Sequence, residues 1–442
     1  MTAPFPDPRS RRAAATATAL AALLLIGCTS EPKLPGERIP IRTEEAPLAQ
    51  TDPKAVRPVP IPAAQANPDW SHRNGSAAGR LVNPAFSANP SLRWTLNIGE
   101  GDAKRRRLLT APIVAGNLIY TIDAAGRLSA VTRGGQLAWS QSLVPDKQLA
   151  DSGPGGGFSY DRGVLYVSTG FGDVLALDAA TGTRRWSRSF DGPVSAPPTA
   201  ADGRVYVVVR NDTAFALDAA DGKTLWQTEG VGGTAGLMGG SSAATDGQLV
   251  VIPFISGEIL GLVARNGLQV WGTVVTGGRR DLARNNINDI SGDPVIDGAT
   301  IYASNQSGRT VSLDRQSGER HWTLDEGAYG PAWPVGGSVF LMSDEGALVR
   351  VDAATGREIW NVQLKQYDND KKRVSAVTHY GPVLAGGRLW VASGDEFLRA
   401  FNPSTGELLG TVALPGGAGA APAVAGGVMY VVTRNGDLLA FQ

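Results

Sequence analysis

Gly203-Arg-Val-Tyr-Val-Val-Val209, then Thr213-Ala-Phe-Ala-Leu-Asp218-Ala-Ala-Asp-Gly222, then Trp226 is the stretch that decides the fold. Two short apolar runs are split by polar turn residues, and a second turn ends in glycine before the tryptophan. Positions 205–209 are apolar without interruption, so a strand there is greasy on both faces and needs a neighbour on each side. The unit recurs at Asp173-Val-Leu-Ala-Leu-Asp178-Ala-Ala-Thr-Gly182 with Trp186, and at Gly346-Ala-Leu-Val-Arg-Val-Asp352-Ala-Ala-Thr-Gly356 with Trp360. Tryptophan returns at Trp94, Trp139, Trp186, Trp226, Trp271, Trp322 and Trp360, and Leu409 holds the eighth place. The gaps of 38 to 51 residues suit one four-stranded blade each. This predicts an all-β chain, an eight-bladed β-propeller of four-stranded antiparallel blades over residues 70–442. The last unit reaches Gln442 without a fourth strand, and Leu92-Arg-Trp94-Thr-Leu-Asn-Ile98 has the sequence of one. That N-terminal strand is expected to pair with the C-terminal blade and close the ring.

The composition agrees. Glycine is abundant at 56 residues, which suits many turns. The 41 basic and 41 acidic residues balance, so charge gives no reason to expect nucleic acid as a partner. Residues 1–27 carry Arg9, Arg11 and Arg12 ahead of an uncharged run ending in Leu23-Leu24-Leu25-Ile26, the pattern of an export signal. Cys28, the single cysteine, stands where that run stops, so no intrachain disulfide can form. Leu25-Ile26-Gly27-Cys28 resembles the lipobox of bacterial lipoproteins, which makes Cys28 the expected lipid anchor; a plain secretory signal is the alternative. Thr29 follows where aspartate would favour inner-membrane retention, so the outer membrane is the expected destination. Residues 28–69 are proline-rich and poor in large apolar side chains, and are expected to be an extended tether reaching roughly 100 Å.

Several patterns have a sharp and a plain explanation. The tryptophans recur once per blade, so blade-to-blade packing is favoured over a cofactor stack. Asp178, Asp218, Asp314 and Asp352 share one position before a glycine turn, which favours bonding to turn amides over metal ligation. His72, His321 and His379 are scattered without metal-like spacing. Lys104-Arg-Arg-Arg107 and Lys371-Lys-Arg373 read as solvated loops, with anionic lipid or an acidic partner as the alternative. Gly153-Pro-Gly-Gly-Gly157 is followed by neither lysine nor helix, so it reads as a connector and not a phosphate loop. The long irregular insertions, 141–153, 227–240, 272–292 and 361–380, fall mostly in links between blades, which leave a propeller on one face.

The Ala-Leu-Asp-Ala-Ala-Thr-Gly unit followed by Trp resembles the repeat of pyrroloquinoline-quinone-type propellers over residues 90–442. With the lipobox and the proline-rich tether, the chain resembles the BamB family of lipoproteins of the outer-membrane β-barrel assembly machinery. The resemblance implies a non-catalytic scaffold without cofactor or metal, anchored in the outer membrane and facing the periplasm. It implies binding to the periplasmic POTRA domains of the central barrel-inserting subunit, in aid of folding outer-membrane proteins. Two segments are similar to the family's contact connectors: Gly236-Leu237-Met238-Gly239-Gly240 and Arg284-Asn-Asn-Ile-Asn-Asp289-Ile-Ser-Gly-Asp293-Pro294. Leu237 and Asp289 match contact positions, whereas Met238 stands where the family has arginine and Ser291 where it has a second aspartate. Two alternatives have different chemistry. A periplasmic quinoprotein dehydrogenase would need a quinone, calcium and usually adjacent cysteines, and the chain has only Cys28. A generic ligand-binding propeller lipoprotein is the other.

Overall fold

The computed structural model describes residues 57–442 except 105, 154, 234, 235, 237, 238, 276, 278–286 and 370. The described residues form eight four-stranded antiparallel sheets and one two-stranded hairpin. In chain order the sheets occupy residues 113–142, 156–189, 199–229, 244–274, 290–324, 333–363, 379–413 and 423–441, here called blades 1 to 8. Strands pair in sequence order, and the first strands of neighbouring blades touch around the axis in six of the eight seams. Blade 8 takes its outer strand from Leu92–Asn97, antiparallel to Asp437–Phe441 with Trp94 opposite Ala440. Just beyond this pairing Ser91 and Gln442 exchange both backbone hydrogen bonds, at 2.9 and 3.0 Å.

Blade 3 shows how the doubly apolar strand is used. Alternate residues point to opposite faces of a strand. Val205, Val207 and Val209 therefore pack on Tyr166, Val174 and Ala176 of blade 2. Tyr206, Ala214 and Ala216 pack the other way, on Ile252, Leu260 and Leu262 of blade 4. Each valine, leucine or isoleucine so buried contributes about 1.5–3 kcal/mol.

The tryptophans fasten one blade to the next. Trp226 donates its indole N–H to the carbonyl of Ala264 in blade 4 at 3.1 Å, and Trp186 does the same to Ala219 in blade 3 at 3.0 Å. Trp94, Trp139, Trp271, Trp322 and Trp360 repeat the contact with the carbonyls of Arg133, Ala179, Arg315, Ala353 and Pro403. In every case the indole lies on a turn glycine of the receiving blade, for Trp226 on Gly267 at φ +71°. A Cβ there would come within 2.6 Å of the ring, so both the left-handed backbone and the ring contact require glycine. The turn aspartates act as expected. Asp178 accepts from the amides of Ala180 and Thr181, each at 3.1 Å, and its hydrogen bond from Arg185, with those of Thr181, holds its carboxyl below the usual range. The expectation for Leu409 does not hold: Gly410, opposite Ala400 as Trp226 is opposite Ala216, occupies the tryptophan position of blade 7, and Leu409 is exposed, so the seam between blades 7 and 8 has no indole contact there. Phe86 and Arg388 serve this seam: Phe86 packs edge-on against Trp390 at 5.1 Å, and Arg388 donates to the Ala88 carbonyl at 2.9 Å.

Residues 57–91 run around the face that carries the turns between first and second strands, and touch all eight blades. Trp70 exchanges backbone bonds with Val114 of blade 1, and the carbonyls of Ser71, Ala77 and Ala78 accept from Tyr160, Thr245 and Ile296 of blades 2, 4 and 5. His72 meets the Ala200 carbonyl of blade 3 at 3.1 Å, and the Val82 carbonyl accepts from Trp333 of blade 6. The carbonyls of Pro84 and Asn67 accept from Gly386 and Gly426 of blades 7 and 8. This girdle covers the inner sheet edges, whose amides would otherwise lack partners. The tether was expected to extend to residue 69, yet its described part is docked: Arg57 pairs with Asp352 at 2.6 Å, Val59 is buried, and Asn67 donates to the Val424 carbonyl at 2.6 Å. Proline-rich backbone has carbonyls to offer and few amides to satisfy, which suits it to this role.

Two outcomes follow from the packing. Trp226→Ala should cost about 3–5 kcal/mol in chemical denaturation, whereas Leu409→Ala should cost less than about 1 kcal/mol. The second concerns His72, whose pKa burial holds down at about 4, against 6.5 ordinarily. The folded ring is neutral, so the unfolded chain takes up a proton first as pH falls. The contribution of the neutral ring is intact above about pH 6.5 and is lost progressively down to about pH 4. Denaturation midpoints measured across that window should show a shallower slope in His72→Gln.

Candidate functional site

The links between blades leave the ring on the face opposite the girdle, beside the turns between second and third strands. Asp212, in the turn after the strand Arg204–Val209, organises the start of the link from blade 3 to blade 4. Its backbone carbonyl accepts from Gly230 at 2.8 Å, and its carboxylate accepts from the amides of Gly233 at 2.6 Å and Ile255 at 2.9 Å. Burial pushes this carboxyl up, against the pull of those two amides.

Further along, this link meets the one that enters blade 5. Arg210 pairs with the buried carboxylate of Asp289 at 3.2 Å. Gly236 lies against both: a Cβ at this position would overlap the Arg210 guanidinium and stand 2.8 Å from an Asp289 oxygen. Only glycine lets the connector approach so closely. A second buried carboxylate, Asp293, sits one turn deeper on the first strand of blade 5. It accepts from Arg73 and Asn74 of the girdle, the latter at 2.6 Å, and from the Ser242 amide at 2.7 Å. Arg73 also donates to the Gly240 carbonyl at 3.3 and 3.2 Å. Two ion pairs thus fix the connector that enters blade 5, one to blade 3 and one to the girdle, and the 236–242 connector packs and hydrogen-bonds onto both pairs; leaving either buried carboxylate uncompensated costs about 3–5 kcal/mol.

The residues singled out in the sequence divide as follows. Asp289 is in the network, on the connector that enters blade 5 and against Gly236 of the other, with its side chain 3% exposed. Ser291 is half-buried and donates to the Ala328 carbonyl at 2.6 Å. Leu237, Met238 and Cys28 lie outside the described residues, as does Arg105 of the first basic cluster. Arg107 of that cluster pairs with Asp102 at 3.3 Å. Lys371, Lys372 and Arg373 are exposed on the hairpin formed by Tyr367–Asn369 and Val374–Ala376, in the link between blades 6 and 7. Among the described residues no three of His, Cys, Asp or Glu are grouped as metal ligands would be. Arg73, Asn74, Arg210 and Asp293 were not anticipated as site residues. One signal was available for Asp293. The residue before the first-strand proline is Ala111, Ala196, Gly381 or Ala421 in other blades, so a carboxylate there stands out.

Fold and site together define an eight-bladed propeller of the quinoprotein-like repeat type, with one face built from the links between blades and an N-terminal girdle. A family model described as outer membrane protein assembly factor BamB matches residues 124–362 and 344–442, and the chain belongs to that family. It is 28% identical to the outer membrane protein assembly factor BamB of Alteromonas naphthalenivorans, over 85% of this chain and 92% of that one. It is 28% identical to the protein of the same name from Xanthomonas campestris, over 84% and 92%. Among solved structures, BamB from Moraxella catarrhalis superposes with a TM-score of 0.65 at 20% identity, covering 80% of this chain and all of that one. A quinohemoprotein alcohol dehydrogenase from Comamonas testosteroni gives 0.66 at 17% identity, covering 86% and 81%. Likenesses at such identities show the shared ring alone.

Gly236→Ala should cost about 1–3 kcal/mol in the parent protein, because the guanidinium must move. In an Arg210→Ser background the same substitution should cost less, since only the contact with Asp289 remains, a coupling that a double-mutant cycle of denaturation measures directly.

Proposed function

We propose that this protein is a non-catalytic scaffold of the outer-membrane protein assembly machinery. It is anchored through lipid on Cys28 and holds its ring in the periplasm. The face carrying the 236–242 and 287–293 connectors docks the POTRA domains of the central barrel-inserting subunit. Membership of the BamB family and the names of the relatives support the assembly role. The observation that carries the location is the contact of Gly236 with both Arg210 and Asp289, since it brings the two family-type connectors into one patch. Loops held on a rigid ring suit protein recognition. Asp289 is buried, so its part is to hold the connectors, while the exposed edges of the links meet the partner. A docked area of at least about 1,000 Å² is expected for such a face. The ring shared with the alcohol dehydrogenase carries no chemistry with it.

Recovery of the intact assembly complex on this protein from solubilised membranes tests the reading. Changing Leu237→Arg and Asp289→Asn together should lower recovery at least about tenfold, the equivalent of about 1.4 kcal/mol. Undiminished recovery would overturn the location. Cys28→Ser should abolish palmitate labelling and move the protein from the membrane to the soluble fraction; retained labelling would remove Cys28 as the anchor.

A further inference from the structure

The girdle and the docking face lie on opposite sides of the ring, yet one side chain reaches from the first to the base of the second. Arg73 leaves the girdle beside Trp70 and His72, which are fixed to blades 1 and 3. Its guanidinium donates from Nε to Asp293 at 2.9 Å and from Nη2 to the other oxygen of the same carboxylate. Both terminal nitrogens also face the Gly240 carbonyl. Asp293 in turn accepts from the Ser241 hydroxyl at 3.2 Å and the Ser242 amide at 2.7 Å. One cation therefore clamps the end of the blade 3–4 link onto the first strand of blade 5.

The clamped segment needs such a restraint. Gly239 and Gly240 both have positive φ, +103° and +70°, in a stretch where glycine has many conformations open to it. Their carbonyls and amides are not in a sheet ladder, so the charge-assisted bonds from Arg73 and Asp293 choose among those conformations. Lysine could supply the charge but not the planar fork that spans a carboxylate and a carbonyl at once.

We propose that Arg73 is a positioning residue for the docking face: from the girdle side it holds the 239–242 connector in the geometry that meets the partner. This rests on the docking reading above. The segment nearest the membrane anchor in sequence and the recognition face are then one mechanical unit, and loosening the girdle weakens docking without removing any residue that touches the partner.

The test uses the full chain and the purified POTRA domains of the central assembly subunit. Hydrogen exchange and dissociation kinetics are measured for the parent protein, Arg73→Gln and Arg73→Lys. In Arg73→Gln the Ser242 amide should exchange at least tenfold faster while the Val207 amide in blade 3 keeps its rate, and POTRA dissociation should quicken at least tenfold. Arg73→Lys should fall between the two on both readouts; if Arg73→Gln does not fold, this variant carries the test. Parent-like exchange at Ser242 overturns the clamp. Faster exchange with unchanged dissociation overturns the link to docking and leaves the proposed function standing. Absence of POTRA binding by the parent protein overturns the docking reading itself, and is visible before any variant is made.

Discussion

A four-stranded sheet buried on both faces has no stable existence in water by itself. Val205 to Val209 illustrate the consequence, since alternate side chains of one strand belong to two different blade interfaces. Every blade is thereby obliged to find two neighbours, and a ring is the arrangement in which all of them do. The indole contacts refine this non-directional demand. Each tryptophan must meet a carbonyl and a glycine turn at fixed separation, so neighbouring blades cannot slide along one another without losing a buried hydrogen bond.

The same logic explains the girdle. Apolar packing covers the faces of the blades, but the inner edges still present backbone amides toward the axis. Residues 57–91 meet them with backbone carbonyls in six blades and reach blades 3 and 6 through the side chains of His72 and Trp333. They also serve the seam between blades 7 and 8, where Gly410 takes the place that tryptophan fills in the other blades. Composition alone made residues 57–69 look free, because extended proline-rich chain has no core of its own. Its docking comes from hydrogen-bond complementarity with distant first strands, which no local pattern records.

At the candidate site, what was legible was the position of the connectors. Asp289 was singled out from a connector-like segment, and it does lie where two links meet. Its partners were not legible. Arg210 is 79 residues away in sequence and Arg73 is 220 residues from Asp293. A periodic repeat says where strands and turns fall but not which turn faces which across the axis. Burial also changes the role open to Asp289: an ion-paired carboxylate at the base of the links holds them in place and is itself out of reach of the surface.

The sequence by itself determined the blade count, the strand borrowed from the N-terminal side, the tryptophan spacing and the turn aspartates. These depend on local alternation and on a repeat that writes the same instruction many times over. Only the tertiary structure decided that the N-terminal segment encircles the ring, that Arg73 crosses to Asp293, and that Gly236 rests between Arg210 and Asp289. Those contacts occur once each, join residues far apart in the chain, and depend on how eight blades are placed around a common axis.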